Sequence, residues 1–196
     1  MTVASIVEYD AVLARMAALG LESLYYNSGA FGFPRGHAIH FTGWIGGEDP
    51  TLRPAARENA VRVDEPCVPT LAALASRAWT EIFPGPVWVM PKSHWAFELD
   101  FGGKEWLPSA LRAAGIDPEQ LMGRTNAPAV EFLPADVDRF TPLVESLLAN
   151  LLGSDFALAF PDYAVTCTLH HHRQVWWTDG DGAFVRRLRM LPPPAR

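Results

Sequence analysis

Lysine is almost missing from this chain of 196 residues: of 16 basic residues only Lys92 and Lys104 are lysines. Acidic residues outnumber basic ones 22 to 16, for a formal net charge of -6. A broad basic face that neutralises phosphates is therefore not expected, and no nucleic-acid partner is expected either. Cysteine is equally scarce. Cys67 and Cys167 lie far apart and match no metal or redox spacing, so two free thiols are expected rather than a disulfide framework. Apolar runs are short and cut by Pro and Gly, and none approaches the roughly 20 residues that a membrane-spanning helix requires. The N-terminal stretch MTVASIVEYDAVLARM has no basic start and carries Glu8 and Asp10 where a signal peptide needs an unbroken apolar core. A cytoplasmic protein with no membrane partner is the expectation.

Chemical motifs are missing as well. No Gly-x-Ser-x-Gly elbow is present. The glycines around Ser28 lack the Lys-Ser/Thr ending of a phosphate loop, and neither paired Cys-x-x-Cys units nor a helical pair of histidines around a Glu occurs. A serine hydrolase is discarded, and nucleotide binding has weak grounds.

What is present is a chain with 49% hydrophobic residues. Its length suffices to bury roughly 70% of the unfolded surface without staples or a structural metal. Helical spacing of Ile6, Tyr9, Leu13 and Met16, with Ser5 and Glu8 in capping-box positions, predicts a helix over 5–19. The following YYNSGAFGFPRG reads as a turn or loop. Residues 37–45 alternate as a strand with His40, Thr42 and Trp44 on its polar face. Residues 46–69 show no clear period beyond a short helix over 54–63.

A second helix is expected over 70–83, and strands over 87–90 and 93–101. The latter places Trp95, Phe97, Leu99 and Phe101 opposite His94, Glu98 and Asp100. Pro108 opens a short helix that ends at Gly115, and Asp117 caps another brief turn. A strand over 129–133 precedes a helix from Val137 towards Gly153. Three tightly joined strands, 155–160, 164–172 and 174–178, lead to a closing helix over 181–191, where Arg186, Arg187 and Arg189 form a solvated face. Alternating strands punctuated by single helices indicate an α+β fold. The expectation is a single two-layer domain over 1–196, with a largely antiparallel sheet and helices mainly on one face.

Chemistry concentrates in TCTLHHHRQVWW. Strand alternation puts Thr166, Thr168, His170 and His172 on one face and Cys167, Leu169 and His171 on the other. Two histidines at i and i+2 can chelate one divalent ion, with Glu98, Asp100 or His94 completing the shell and Zn, Mn or Fe as the candidate metal. His40 could join from a third strand. Trp176 points to the histidine face and Trp177 to the core, so Trp44 and Trp176 flank His40 and His170. This face, His40, Trp44, His94, Glu98, Asp100, His170, His172 and Trp176, suits binding of a small molecule or a protein partner. The alternatives are a divalent-metal-dependent hydrolase or oxygenase built on His170 and His172, and a structural domain that pairs its sheet face in a homodimer.

Overall fold

Strand residues in this chain are apolar or small on alternate positions, and seven strands use that alternation to build one antiparallel sheet. The computed structural model describes residues 4–24, 28–41, 51–100, 105–124 and 126–191. The strands are β1 (Ser5–Val7), β6 (Ala60–Asp64), β7 (Val87–Pro91), β8 (Ala129–Phe132), β9 (Phe156–Ala159), β10 (Val165–His170) and β11 (Gln174–Asp179). They lie in the order β1-β8-β7-β9-β10-β11-β6. A smaller sheet joins β2 (Glu22–Ser23), β3 (Phe31–Arg35), β4 (Ala38–Phe41) and β5 (Leu52–Pro54). Helices α1 (Tyr9–Ala18), α2 (Val68–Arg77), α3 (Trp95–Asp100), α4 (Trp106–Ala113), α5 (Val137–Asn150) and α6 (Ala183–Leu188) complete a mixed α+β architecture.

The register separates the two faces of the main sheet. Ile6, Val130, Val89, Leu158, Cys167, Trp177 and Val61 form one row across all seven strands. On this apolar face α5 sets Phe140 against Phe132 at 5.6 Å and against Trp79 at 4.6 Å. Helix α2 packs on α5, and α4 adds Leu107 and Leu111 to the same cluster. Cys167 is the small buried core residue its alternation predicts. Burial pushes its thiol well up, only partly offset by the Lys92 charge.

The opposite row reads Ser5, Glu131, Trp88, Ala159, Thr166, Thr178 and Ala60. It is not an open face, since Thr168, His170 and Thr178 are all buried. The segment from Ser28 to Phe33 lies over it. Gly29 donates its N–H to the Pro91 carbonyl at 2.8 Å. A Cβ on Gly29 would stand 2.4 Å from Met90 Cγ, and one on Gly180 would stand 3.2 Å from the Phe33 ring.

Several expectations are corrected. Residues 5–7 are a strand, because the Ser5 hydroxyl donates to Glu131 across the β1–β8 pair rather than capping α1, whose N-cap Glu8 makes no side-chain cap. The glycine-rich segment after residue 28 contains β3. Gly32 is needed there, since a Cβ would meet Ile39 Cγ2 at 2.6 Å. Within 54–63, Pro54 ends β5, Arg57–Asn59 forms a single 3-10 turn, and β6 begins at Ala60.

The largest correction is α3, where a strand is expected. Trp95 and Leu99 are buried one helical turn apart while Phe97 is 42% exposed. The six-residue WAFELD satisfies a period of 2 and a period of 3.6 about equally, and Ala, Glu and Asp favour helix over strand. Arg186, Arg187 and Arg189 are exposed, as expected, and Arg189 has a further role. Its guanidinium donates to the carbonyls of Arg57 and Ala60, tying α6 to β6.

Candidate functional site

Strand β10 ends at His170, which pairs with Gln174 of β11. Only His171, His172 and Arg173 remain to turn the chain. A three-residue hairpin loop of this kind needs its last residue in the left-handed region, and Arg173 adopts φ 59°. This turn, not strand alternation, sets the histidines. In an extended strand His171 would point away from its neighbours. In the turn it stacks on His170 at 4.2 Å and lies edge-on to His172 at 4.3 Å.

Planar groups continue in both directions. The Trp176 indole lies on His170 at 4.8 Å with the rings 4° apart, and the Arg62 guanidinium stands 5.6 Å from the indole centroid. The indole N–H donates to Gln174 Oε1 at 2.8 Å, and Arg62 is held by Asp64.

The hydrogen bonds fix where the imidazole protons sit. His172 donates its backbone N–H to His170 Nδ1 at 3.1 Å, so the neutral His170 ring carries its proton on Nε2. Burial pushes the His170 pKa down. Asp155 opposes that shift, while His171, His172 and Lys92 add to it. His171 points Nδ1 at Asp155 Oδ1 at 2.8 Å, and the same oxygen accepts the His171 backbone N–H at 3.1 Å. A carboxylate can only accept, so Nδ1 holds the proton and Nε2 of His171 keeps a lone pair, able to take a proton or bind a metal. Asp155 reaches this position because it immediately precedes β9, which pairs with β10 through Phe156 and Leu169.

These groups line a cleft of about 750 Å³ together with Lys92, Ser93, Ser154, Phe97, Leu24 and Ala30. Lys92 is half-buried. Burial lowers its pKa, with Asp155 pulling the other way. Behind the wall, Glu98 is fully buried and accepts from Ser93 at 2.5 Å and from Ser154 at 2.9 Å. Both of its oxygens are thus engaged by residues of the lining.

Of the predicted site residues, His170, His172 and Trp176 meet in the cleft, and Glu98 supports it from behind. The pairing of Trp176 with the histidines and the burial of Trp177 follow the strand alternation. His94 and Asp100 are exposed at the two ends of α3 and are not among the residues lining the cleft, since the strand that would have aligned them with Glu98 is a helix. The shell of His94, Glu98 and Asp100 around His170 and His172 therefore does not form. His40 belongs to β4 of the smaller sheet, paired with Phe33 and Arg53, and does not line the cleft either. Trp44 lies outside the described residues.

Sequence reasoning missed His171, Asp155, Lys92 and Arg62. No local pattern marks them. Asp155 and Arg62 depend on which strands flank β10 and β11, and His171 on a turn that lacks the usual Gly or Asn. No protein-family model, curated protein or solved structure matches the chain. Among the described residues no helix is long and apolar enough to cross a membrane.

Proposed function

We propose that this protein binds a small molecule carrying an anionic group and a flat ring, in the cleft at the β10–β11 turn. The observation that carries this reading is the charge of the lining. Two cations, Lys92 and Arg62, line the cleft beside one lining carboxylate, Asp155, which already accepts from His171; Arg62 is paired with Asp64 outside the lining, and the chain as a whole has a net charge of -6. Cations placed in a cleft of an otherwise acidic protein favour anions there. His170 supports the same polarity, because its Nε2 proton makes it a donor. The Arg62-Trp176-His170-His171 column offers flat surfaces at low entropic cost for a ring to extend or cover.

The test is a thermal-shift and calorimetric panel of aromatic carboxylates and aryl phosphates, each matched with its neutral amide and its amine. An anion present at 100 times its Kd should stabilise the fold by about 2.7 kcal/mol. Lys92→Met and Trp176→Ala should each weaken that anion's binding, the first through charge and the second through stacking. Equal binding of the amine and the carboxylate would refute the reading.

A further inference from the structure

We propose that His171 and His172, without His170, form a two-histidine chelate for a divalent transition metal, zinc foremost, at the β10–β11 turn. This site is independent of the anion reading: it rests on the protonation and spacing of the turn histidines and not on the charge of the cleft.

Spacing comes first. One ring nitrogen from each of His170, His171 and His172 lies within 4.8 Å of the others. Two imidazole ligands on a tetrahedral zinc are about 3.3 Å apart, given Zn–N distances of about 2.0–2.1 Å. The His171 and His172 ring centroids are 4.3 Å apart, and the His172 side chain is exposed and able to swing a nitrogen towards Nε2 of His171. Among the described residues neither ring nitrogen of His172 has a hydrogen-bond partner, so the swing breaks no such bond.

Protonation then selects the ligands. The Nε2 lone pair of His171 is available because Nδ1 gives its proton to Asp155. A carboxylate that orients the far nitrogen of a ligating histidine is the recurrent outer partner at zinc sites, and here it also holds the backbone N–H of the same residue. His170 is in the opposite state. Its Nδ1 lone pair is spent on the His172 N–H, and its Nε2 bears the proton. Ligation through Nδ1 would break the hydrogen bond of the turn. Ligation through Nε2 would force a proton onto Nδ1, against the His172 N–H. Three histidines are adjacent, but only two have nitrogens to give, and the remaining coordination positions stay open to water or to a ligand in the cleft.

The experiment uses the full chain without an affinity tag, titrated with Co(II) as a spectroscopic probe and then with Zn(II) in competition. One Co(II) per chain with the visible absorption of a tetrahedral site is expected, displaced by one Zn(II). His171→Ala and His172→Ala should each abolish stoichiometric binding, whereas His170→Gln should leave the affinity within about threefold. Asp155→Asn should keep the cobalt spectrum while weakening the affinity by roughly 10- to 100-fold, as expected for a positioning residue that acts through His171. Circular dichroism on each variant confirms that the fold persists, and His172→Ala, which alters an exposed side chain, carries the decision if His171→Ala unfolds. The proposal is overturned if the native chain takes up no stoichiometric metal. It is also overturned if His170→Gln loses metal as completely as His172→Ala, which would mean a three-histidine site.

Discussion

The two faces of the main sheet differ in kind although the same strands make both. On one, a row from Ile6 through Val130, Val89, Leu158, Cys167 and Trp177 to Val61 is apolar in every strand. On the other, the adjacent row runs through Ser5, Glu131, Trp88, Ala159, Thr166, Thr178 and Ala60. Both are buried over β9 and β10, the first under α5 and the helices that pack on it. The second is covered by the segment from Ser28 to Phe33, part of the smaller sheet, which comes close enough to exclude a side chain at Gly29. The first face thus carries the continuous apolar row, and the second mixes buried apolar residues such as Trp88 and Met90 with polar groups and, at its end, a cleft.

The largest effect should come from breaking the helical face. Phe156 is fully buried, with its ring edge-on to Trp95 at 5.5 Å. Phe156→Ala should lower the unfolding free energy by about 3–5 kcal/mol in urea, with the slope of the transition unchanged. A loss below about 1 kcal/mol would mean that this face is not where the fold is held.

Next in size is an attack on the cover of the second face. Gly29→Ala places a Cβ 2.4 Å from Met90 Cγ and 2.7 Å from the Pro91 carbonyl oxygen, so the segment must lift or the strand must shift. A cost of about 1–3 kcal/mol is expected. Because Ala30 and Leu24 line the cleft, anion affinity should fall as well. Phe156→Ala offers the control. If it weakened anion binding in the same proportion to its stability loss, the two faces would not be separable.

The contrast between the faces also explains what could be read in advance. Helices α2, α4 and α5 and strands β7 to β11 sit close to their expected positions because a continuous apolar neighbour enforces a clean period on them. Trp176 and Trp177 split between the faces as alternation requires. Legibility fails where a short element answers to a distant partner. Ser5 mimics a cap but bonds to Glu131, and Gly32 resembles a breaker but permits a close strand approach. WAFELD fits two periods at once.

The site suffers most, because its parts converge from β6, β7, α3, β9 and the β10–β11 turn. His170, His172 and Trp176 were visible because they lie within one hairpin. Asp155, Lys92 and Arg62 come from elsewhere in the chain, and nothing local announces them. Strand alternation carried past His170 puts His171 on the wrong face, because β10 ends at His170 and His171 belongs to the turn.

A smaller effect tests the turn itself. Arg173 holds φ 59°, a conformation that costs an L-residue about 1–2 kcal/mol, of which glycine gives back part through its own entropy. Arg173→Gly should therefore stabilise the protein by roughly 0.5–1 kcal/mol, and Arg173→Ala should not. Equal midpoints for the two variants would show that the turn is unstrained. A stabilised glycine variant that also bound ligand less well would show that the strain holds the histidines in place.

The smallest effect is electrostatic and belongs to the helical side. Asp136 is a buried acid there. Burial alone would raise its pKa, but the Arg139 guanidinium and the Leu133 N–H that its carboxylate accepts outweigh burial and hold it below the usual carboxylate value. A group whose folded pKa is depressed contributes stability above its unfolded pKa and loses it as pH falls through the folded one. Asp136→Asn should therefore cost about 1 kcal/mol or less at neutral pH, and the difference should shrink towards zero as the pH falls through the depressed folded pKa and the native carboxyl is itself protonated. Urea midpoints of the two proteins across that range decide it. A difference independent of pH would assign the role of Asp136 to its hydrogen-bond geometry alone, and the helical face would then owe nothing to charge at this position.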